Sequence, residues 1–473
     1  MKTKTLQQIN LFRLLDIAGD TEFGRKYGFD SIKEYPVFAD KVPIHFYRDL
    51  LPYIEKMKEG REDVLWPGKV DKFAVSAGTT GEGKHLPLTS DRLGSDSAYM
   101  KELAFSYLRQ RPNPFRLIGK HLSLPGSVEQ HGAIQIGEVS GFSALSSPAW
   151  LRPFQLADPV SLTAMNFREK FDLMLQKALT ANVKVITAVP SWILTLFQQA
   201  LKKTGSKSIE EIWPSLKLLV CGGVKLSNYR PHLNSLMGNL NPDFIETYGA
   251  SEGYLAFSDD LQKEDLKLVT DNGIFFEFIK DPLPEKDALA IQDAVPIWQV
   301  EKNVPYAVIV STNAGLWRYA LRDVIEFTST EPPRIIVKGR INEMLDDFGE
   351  GLYIYEADDA LSEALNEMEL QRGTFTIIPR LPSESEVPFH HWLIQFSKPI
   401  HPDTLRRLAD KIDEKLKTVN RHYAIRRESG TLAKPRIGSI SQQDVNRWLD
   451  ACDKVRAQGK LPKILRENED LLL

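Results

Sequence analysis

The feature that most constrains this chain is a glycine- and hydroxyl-rich segment that directly follows a short apolar stretch, Phe73-Ala74-Val75. Residues 76–84 read Ser-Ala-Gly-Thr-Thr-Gly-Glu-Gly-Lys. The glycines allow positive φ and close backbone approach, the hydroxyls are donors, and Lys84 adds a mobile positive charge suited to a leaving pyrophosphate. A loop of this kind after a strand predicts phosphate binding. The candidate phosphate-binding residues in it are Ser76, Gly78, Thr79 and Thr80.

The same segment partly satisfies the pattern of a P-loop, because Gly78 to Lys84 reads G-x-x-x-x-G-K. A P-loop needs Ser or Thr next, to hold magnesium, and His85 stands there. It also needs a helix that starts at the lysine, whereas Pro87 and the capping signal at residues 89–91 place the helix start several residues later. We therefore expect a phosphate loop of another kind, with a P-loop and a plain turn as the alternatives.

A second segment, residues 246–253, places an aromatic ring and a carboxylate on a glycine-flanked turn. Tyr248 is a candidate adenine platform, although a lone tyrosine at a strand end is by default a core residue. Glu252 is presented beside it, and an exposed carboxylate near a phosphate loop is a natural magnesium ligand; Ser251 lies next to Glu252. Upstream, Gly222 and Gly223 end another strand without side chains, so adenine could lie against bare backbone.

A third segment, residues 313–323, brings a second carboxylate out of a strand-rich region. Its first three residues predict a turn, and Leu316 to Tyr319 predict a strand. Asp323 could accept both ribose hydroxyls in a bidentate manner; the alternative is an aspartate that caps a turn. Arg340 could add a ribose or phosphate contact, or form a plain salt bridge at a hinge.

Size and composition limit the classes of protein. At 473 residues the chain predicts two or three domains, and its net charge of -3 gives no global signal for nucleic acid. Its two cysteines lie far apart in sequence without metal-like spacing, as expected in a reduced compartment. No apolar run approaches the roughly 20 residues that cross a bilayer. We expect a cytoplasmic enzyme with no membrane or nucleic-acid partner.

The order of elements predicts an α/β fold. Between residues 167 and 247 apolar helices alternate with β-branched strands, which predicts a mostly parallel sheet with its ligand at the carboxyl ends of the strands. Strands dominate from Asp271, and a compact α+β unit follows Gly339. We therefore predict a large domain over residues 1–338 and a small one over 339–473.

In combination these segments resemble the plant auxin-responsive acyl-acid amido synthetases (the Gretchen Hagen group) and most closely their bacterial branch. The similar segments are residues 64–68, 73–80, 189–192, 221–224, 248–253, 271–275, 313–319, 339–342 and 348–350. The resemblance covers nearly the whole chain. It implies an adenylate-forming fold, with a large αβ amino-terminal domain that binds ATP and the acyl acid and a small, mobile α+β carboxyl-terminal domain.

The resemblance also implies a reaction in two steps. A carboxylate attacks the α-phosphate of ATP to give an acyl-adenylate and pyrophosphate, and an amine, usually an amino acid, then displaces AMP to form an amide. It implies ATP and Mg²⁺ as cofactors, Lys84 and Glu252 as catalytic groups, and Lys460 of the tail as a contact to the reacting carboxylate or phosphate. Ser140 and Trp192 are candidates for the acyl pocket, and core packing is the alternative for Trp192.

Two departures from the family pattern motivate alternatives. Arg322 stands where the family usually has glycine, beside the expected ribose anchor, and the tail before Lys460 has fewer glycines. One alternative is a ligase that delivers the adenylate to a thiol such as coenzyme A. Another is a catalytically weakened protein that binds nucleotide or acyl acid.

Overall fold

The computed structural model describes residues 2–75, 84–282, 289, 292–341, 343–345, 347–348, 350–380, 387–396, 398–451 and 460–465. The chain divides into two compact units. The first comprises Met1–Val189, Trp213–Val224 and Leu240–Lys338, and the second comprises Pro190–Ile212, Lys225–Asn239 and Gly339–Leu473. The second unit therefore includes two segments that precede residue 338 in sequence. The division into domains over residues 1–338 and 339–473 stays a prediction.

The α-helices of the described residues are α1 (Thr3–Ala18), α2 (Glu22–Tyr27), α3 (Tyr35–Lys41), α4 (Tyr47–Lys58), α5 (Ser90–Gln110), α6 (Val139–Leu145), α7 (Pro159–Ala164), α8 (Phe167–Leu179), α9 (Pro190–Thr204), α10 (Ile209–Ile212), α11 (Arg230–Leu236), α12 (Ile354–Glu367), α13 (Pro402–Val419), α14 (Arg421–Glu428) and α15 (Gln442–Ala451). None of these helices combines the length and apolar character needed to span a membrane.

The strands are β1 (Lys72–Val75), β2 (His85–Pro87), β3 (Lys120–Ser123), β4 (Val128–His131), β5 (Ile134–Gly137), β6 (Val183–Ala188), β7 (Leu218–Gly222), β8 (Asp243–Ala250), β9 (Gly253–Phe257), β10 (Leu266–Leu268), β11 (Ile274–Lys280), β12 (Ala294–Pro296), β13 (Pro305–Thr312), β14 (Tyr319–Thr330), β15 (Pro333–Arg340), β16 (Met344–Leu345), β17 (Leu352–Tyr353), β18 (Arg372–Arg380), β19 (Phe389–Phe396) and β20 (Arg436–Ile440).

The main sheet has the strand order β12-β11-β13-β14-β15-β10-β9-β8-β7-β6-β3. Its strands β3, β6, β7 and β8 pair in parallel, as the alternation of helices and strands predicts for that part of the chain. From β9 onwards the pairing is antiparallel. The sheet as a whole is thus mixed, and the expectation of a mostly parallel sheet holds only where helices connect the strands.

The strand predicted over Leu316 to Tyr319 is wrong for its first three residues. Residues Leu316 to Arg318 are irregular, and β14 begins only at Tyr319. The reason lies in the buried indole of Trp317, which donates from Nε1 to the carbonyl of Leu65 at 3.1 Å and packs against Phe29 with ring centroids 4.6 Å apart. Arg318 then takes a φ of 42°, far from the φ of about −120° to −140° of regular strands.

In the second unit α12 and α13 cover the three-stranded sheet β18-β19-β20. The carboxyl-terminal segment adds to the edge of this sheet, because the amide of Ile377 donates to the carbonyl of Lys463 at 2.9 Å and the amide of Leu465 donates to the carbonyl of Ile377 at 3.0 Å. These two bonds fix the residues directly after Lys460 to β18.

We predict that replacing Gly315 with alanine destabilises the first unit by about 2–4 kcal/mol. Gly315 has a φ of 81°, and an added Cβ would lie 2.6 Å from Cβ of Leu65 and 2.7 Å from its carbonyl oxygen. Urea unfolding measures the change. Gly132→Ala is the matched control, since Gly132 has a φ of 60° with no atom within 4 Å of the added Cβ. Equal losses in the two variants would contradict the role of close packing at Leu65.

The buried histidine His45 should make the stability of the fold depend on pH. His45 is buried, and its Nδ1 bonds the carbonyl of Trp317 at 2.9 Å; burial, the larger effect, lowers its pKa to about 4 although the carbonyl opposes the shift. Because the unfolded chain takes up a proton near the ordinary histidine pKa of about 6.5, His45 costs stability as pH falls from about 6.5 to 4. Urea unfolding of His45→Gln across this range should show a shallower loss than the wild type. Parallel slopes would contradict the assignment.

Candidate functional site

The predicted phosphate loop is described only at its last residue. Ser76, Gly78, Thr79 and Thr80 lie outside the described residues, so their phosphate role stays a prediction. Lys84 is followed directly by β2, which pairs antiparallel with β1, and α5 begins at Ser90 with Thr89 as its cap. A helix does not start at the lysine, so the P-loop alternative is wrong.

Lys84 faces two tyrosines to which the sequence analysis gave no role. Its Nζ donates to Oη of Tyr319 at 3.5 Å and lies 5.7 Å from the ring centre of Tyr47. The hydroxyl of Tyr47 in turn accepts from the amide of His85 at 3.0 Å. Tyr319 belongs to the third segment, so this contact links the first segment to the third. The signal for Tyr319 was its position beside the turn, four residues before Asp323.

The structure brings the predicted adenine platform and the predicted ribose anchor into direct contact. The hydroxyl of Tyr248 donates to Oδ2 of Asp323 at 2.7 Å. Asp323 lies within β14, so the alternative of a turn-capping aspartate is wrong. Tyr248 is half-buried on β8 and packs against the hydrophobic core of the first unit, so the alternative of a core residue stays open for its ring.

This contact requires a strongly curved sheet. Strands β8 and β14 are separated by β9, β10 and β15 in the strand order, and four steps of about 4.8 Å would put them about 19 Å apart in a flat sheet. Two side chains cannot close that gap at hydrogen-bond distance. The curvature therefore gathers the ends of distant strands around one concave face.

Glu252 lies on a two-residue turn between β8 and β9. Ala250 pairs with Gly253, which leaves Ser251 and Glu252 at the tip. Glu252 is only 8% exposed, so the expectation of an exposed carboxylate is wrong. The carbonyl of Ser251 accepts a long bond of 3.4 Å from Nη1 of Arg92 on α5. No local motif in the sequence marks Arg92 as a residue of this site.

The glycines at the end of β7 have a structural reason as well as the predicted one. A Cβ on Gly222 would lie 2.5 Å from Oγ1 of Thr247 on the neighbouring strand, and Gly223 has a φ of 83°. The close approach of β7 and β8 therefore requires a bare backbone at this point. Adenine packing against it stays a prediction.

The departure at Arg322 has a physical account. Its φ of 66° is the conformation that glycine adopts without cost, which explains why a glycine suits this position. The arginine side chain stacks on the ring of Phe46, with its guanidinium carbon 4.8 Å from the ring centre. This cation–π contact offsets part of the backbone cost.

The other predicted site residues lie apart from the contact of Tyr248 with Asp323 in the sequence. The hydroxyl of Ser140 accepts from the amide of Gly126 at 2.9 Å, which ties α6 to the preceding loop. In the second unit Trp192 is 7% exposed, and Trp192 and Lys460 line one cavity of about 10 Å³, space for a single water. Arg340 is exposed at the end of β15. The substrate and catalytic roles of these four residues stay predictions.

The contact between Tyr248 and Asp323 makes a measurable prediction. A double-mutant cycle with Tyr248→Phe and Asp323→Ala, followed by urea unfolding, should give a coupling free energy of about 1.5 kcal/mol, because each single variant removes the hydrogen bond to the carboxylate. Coupling within error of zero would mean that the two groups do not interact in solution.

The sequence of the chain matches those of a known protein family. The sequence profile of the GH3 family N-terminal domain matches residues 1–203, that of the GH3 family central domain matches 267–340, and that of the GH3 family C-terminal domain matches 355–469. The indole-3-acetic acid-amido synthetase GH3.3 of Arabidopsis thaliana is 22% identical over 87% of this chain and 81% of its own length.

Two solved structures share the fold. The AtGH3.15 acyl acid amido synthetase in complex with 2,4-DB superposes with a TM-score of 0.82 at 17% identity, over 99% of this chain and 92% of that one. A 2-hydroxyisobutyryl-CoA ligase with a bound acyl-AMP superposes with a TM-score of 0.58 at 12% identity, over 98% of this chain and 89% of that one. This protein thus has the mixed α/β fold of adenylate-forming enzymes, with a large amino-terminal and a smaller carboxyl-terminal domain, and it belongs to the GH3 family.

Proposed function

We propose that this chain is a ligase that activates a carboxylic acid with ATP and then transfers the acyl group to an amine or amino acid. The observation that carries the proposal is the hydrogen bond of Tyr248 to Asp323, in a chain whose GH3 relatives include an amido synthetase. The pair brings together an aromatic ring and a carboxylate, which supports their proposed roles as the base platform and the ribose acceptor of an adenosine.

Three side chains of the candidate site suit the three parts of a nucleoside triphosphate, which are the ribose, the base and the phosphates. Asp323 offers carboxylate oxygens to vicinal hydroxyls, the ring of Tyr248 offers a face for a base, and Lys84 carries the charge that a departing pyrophosphate needs. In the first step the substrate carboxylate attacks the α-phosphorus, the bond from that phosphorus to the bridging oxygen breaks, and pyrophosphate leaves. Such transfers depend on positioning and electrostatic stabilisation rather than on covalent chemistry by the protein.

Glu252 suits a divalent cation, because a carboxylate is a hard oxygen ligand. Mg²⁺ held there with the nucleotide would neutralise charge on the phosphates. Glu252 itself would bind the cation and would not act as a general acid or base.

In the second step a neutral amine attacks the acyl carbonyl, AMP leaves, and the amine loses a proton. Lys460 is the residue that we assign to the reacting carboxylate or phosphate, and Ser140 and Trp192 to the acyl pocket.

The test is acid-dependent exchange of labelled pyrophosphate into ATP over a panel of aryl and alkyl carboxylic acids, beginning with indole-3-acetic acid and 2,4-DB. Exchange with at least one acid is the expected result, and AMP release that then depends on an added amino acid identifies the acceptor. AMP release that depends on coenzyme A instead would establish a thiol ligase. Nucleotide binding without exchange for any acid would indicate a binding protein and overturn the proposal.

We predict that Glu252→Ala lowers the exchange rate about 100-fold, the usual effect of losing one electrostatic stabiliser of the transition state. Glu252→Gln should lose nearly as much, since the amide keeps the shape but not the charge. Glu129→Gln, on an exposed part of β4, is the matched control and should match the wild type. An unchanged rate in both variants at position 252 would remove Glu252 from the mechanism.

A further inference from the structure

The first two turns of α5 connect to the third segment. Thr89 caps this helix by accepting from the amide of Arg92 at 3.0 Å, and the same hydroxyl donates to the carbonyl of Asn313 at 2.7 Å. The side-chain amide of Asn313 donates to Oγ of Ser95 at 2.8 Å. The start of α5 is therefore held against the turn that leads into β14 and Asp323.

The same two turns also connect to the second segment, through a buried ion pair. Arg92 and Asp96 lie one turn apart on α5 and are 1% and 4% exposed, with Nε of Arg92 2.9 Å from Oδ1 of Asp96. Arg92 then reaches the carbonyl of Ser251, one residue before Glu252. Only residues 85–89 separate α5 from Lys84 in the sequence, so the helix follows the first segment in the chain and bonds to the other two.

The bonding of this ion pair is incomplete. Among the described residues, Nη2 of Arg92 and Oδ2 of Asp96 are buried without a hydrogen-bond partner. Burial raises the pKa of Asp96, although Arg92 opposes the shift. A buried pair with unmade bonds costs stability, and an apolar pair of similar volume is often at least as stable. The stability of α5 therefore does not explain why a buried ion pair, and not an apolar pair, occupies these two positions.

We propose that Arg92, fixed by Asp96, is a positioning residue for Glu252 and thereby sets the affinity of the site for the divalent cation that accompanies the nucleotide. The bond to Ser251 is long at 3.4 Å, and one donor of the guanidinium is unused. This contact still limits where the turn can lie, because Arg92 is itself fixed by Asp96. The position of the Glu252 carboxylate, and with it the affinity for the cation, therefore depends on Arg92. The inference depends on the proposed role of Glu252.

The experiment is a Mn²⁺ titration followed by electron paramagnetic resonance, with the wild type and variants saturated with α,β-methylene ATP. Arg92→Met should weaken Mn²⁺ binding about 10-fold, the lower end of the effect of groups that orient a metal ligand. Arg92→Lys, which keeps the charge, should fall between Arg92→Met and the wild type. In pyrophosphate exchange the same variants should need correspondingly more Mg²⁺ for half-maximal rate.

Arg334→Met is the matched control, because Arg334 forms another nearly buried ion pair of the first unit, with Asp265 at 2.7 Å, near the other end of β9. It should lose stability but keep the Mn²⁺ affinity. If Arg92→Met does not fold, Asp96→Asn serves in its place, since it keeps the side-chain shape and releases the guanidinium. Wild-type Mn²⁺ affinity in a folded Arg92→Met or Asp96→Asn variant would overturn the inference.

Failure of the proposed function gives a different result. In that case the wild type itself binds no Mn²⁺ with the analogue and exchanges pyrophosphate with no acid. An intact wild type with unaffected variants would instead leave the ligase standing and remove only the role of Arg92.

Discussion

The hydrogen bond between Tyr248 and Asp323 is the constraint on which the candidate site depends. It spans four strand steps of the main sheet and therefore exists only if that sheet curves. Directly before β14, the indole of Trp317 donates to the carbonyl of Leu65, and Gly315 packs closely against the same residue. Residues with no chemical role thus hold the start of the strand that carries Asp323.

Helix α5 is the second organising element, because its first turns bond to the segments that carry Asp323 and Glu252. A site assembled from three separate segments needs a common support if its charges are to stay in register. The contact of Lys84 with Tyr319 adds a direct link between the first and third segments. The geometry of the site is therefore a property of the connections among its segments as much as of the segments themselves.

Much of this arrangement follows from local sequence patterns. The cap at Thr89, the strand that bears Asp323 and the parallel part of the sheet could be predicted because capping, β-branched runs and helix–strand alternation are local signals. The pairing of Tyr248 with Asp323 could not, since it depends on how far the sheet curves. Arg92, Tyr47 and the irregular stretch at Trp317 were also missed, because tertiary packing decides them. Nor does any local signal indicate that Trp192 and Lys460 line one cavity of the second unit.

If the three segments form one nucleotide site, the base, the ribose and the metal of a bound nucleotide must all contact them. A crystal structure with α,β-methylene ATP and Mn²⁺, with the metal located by its anomalous scattering, tests this arrangement. We expect an anomalous peak at the carboxylate of Glu252, the base against Tyr248 and the ribose hydroxyls on Asp323. A nucleotide bound away from Asp323, or a metal peak remote from Glu252, would contradict it.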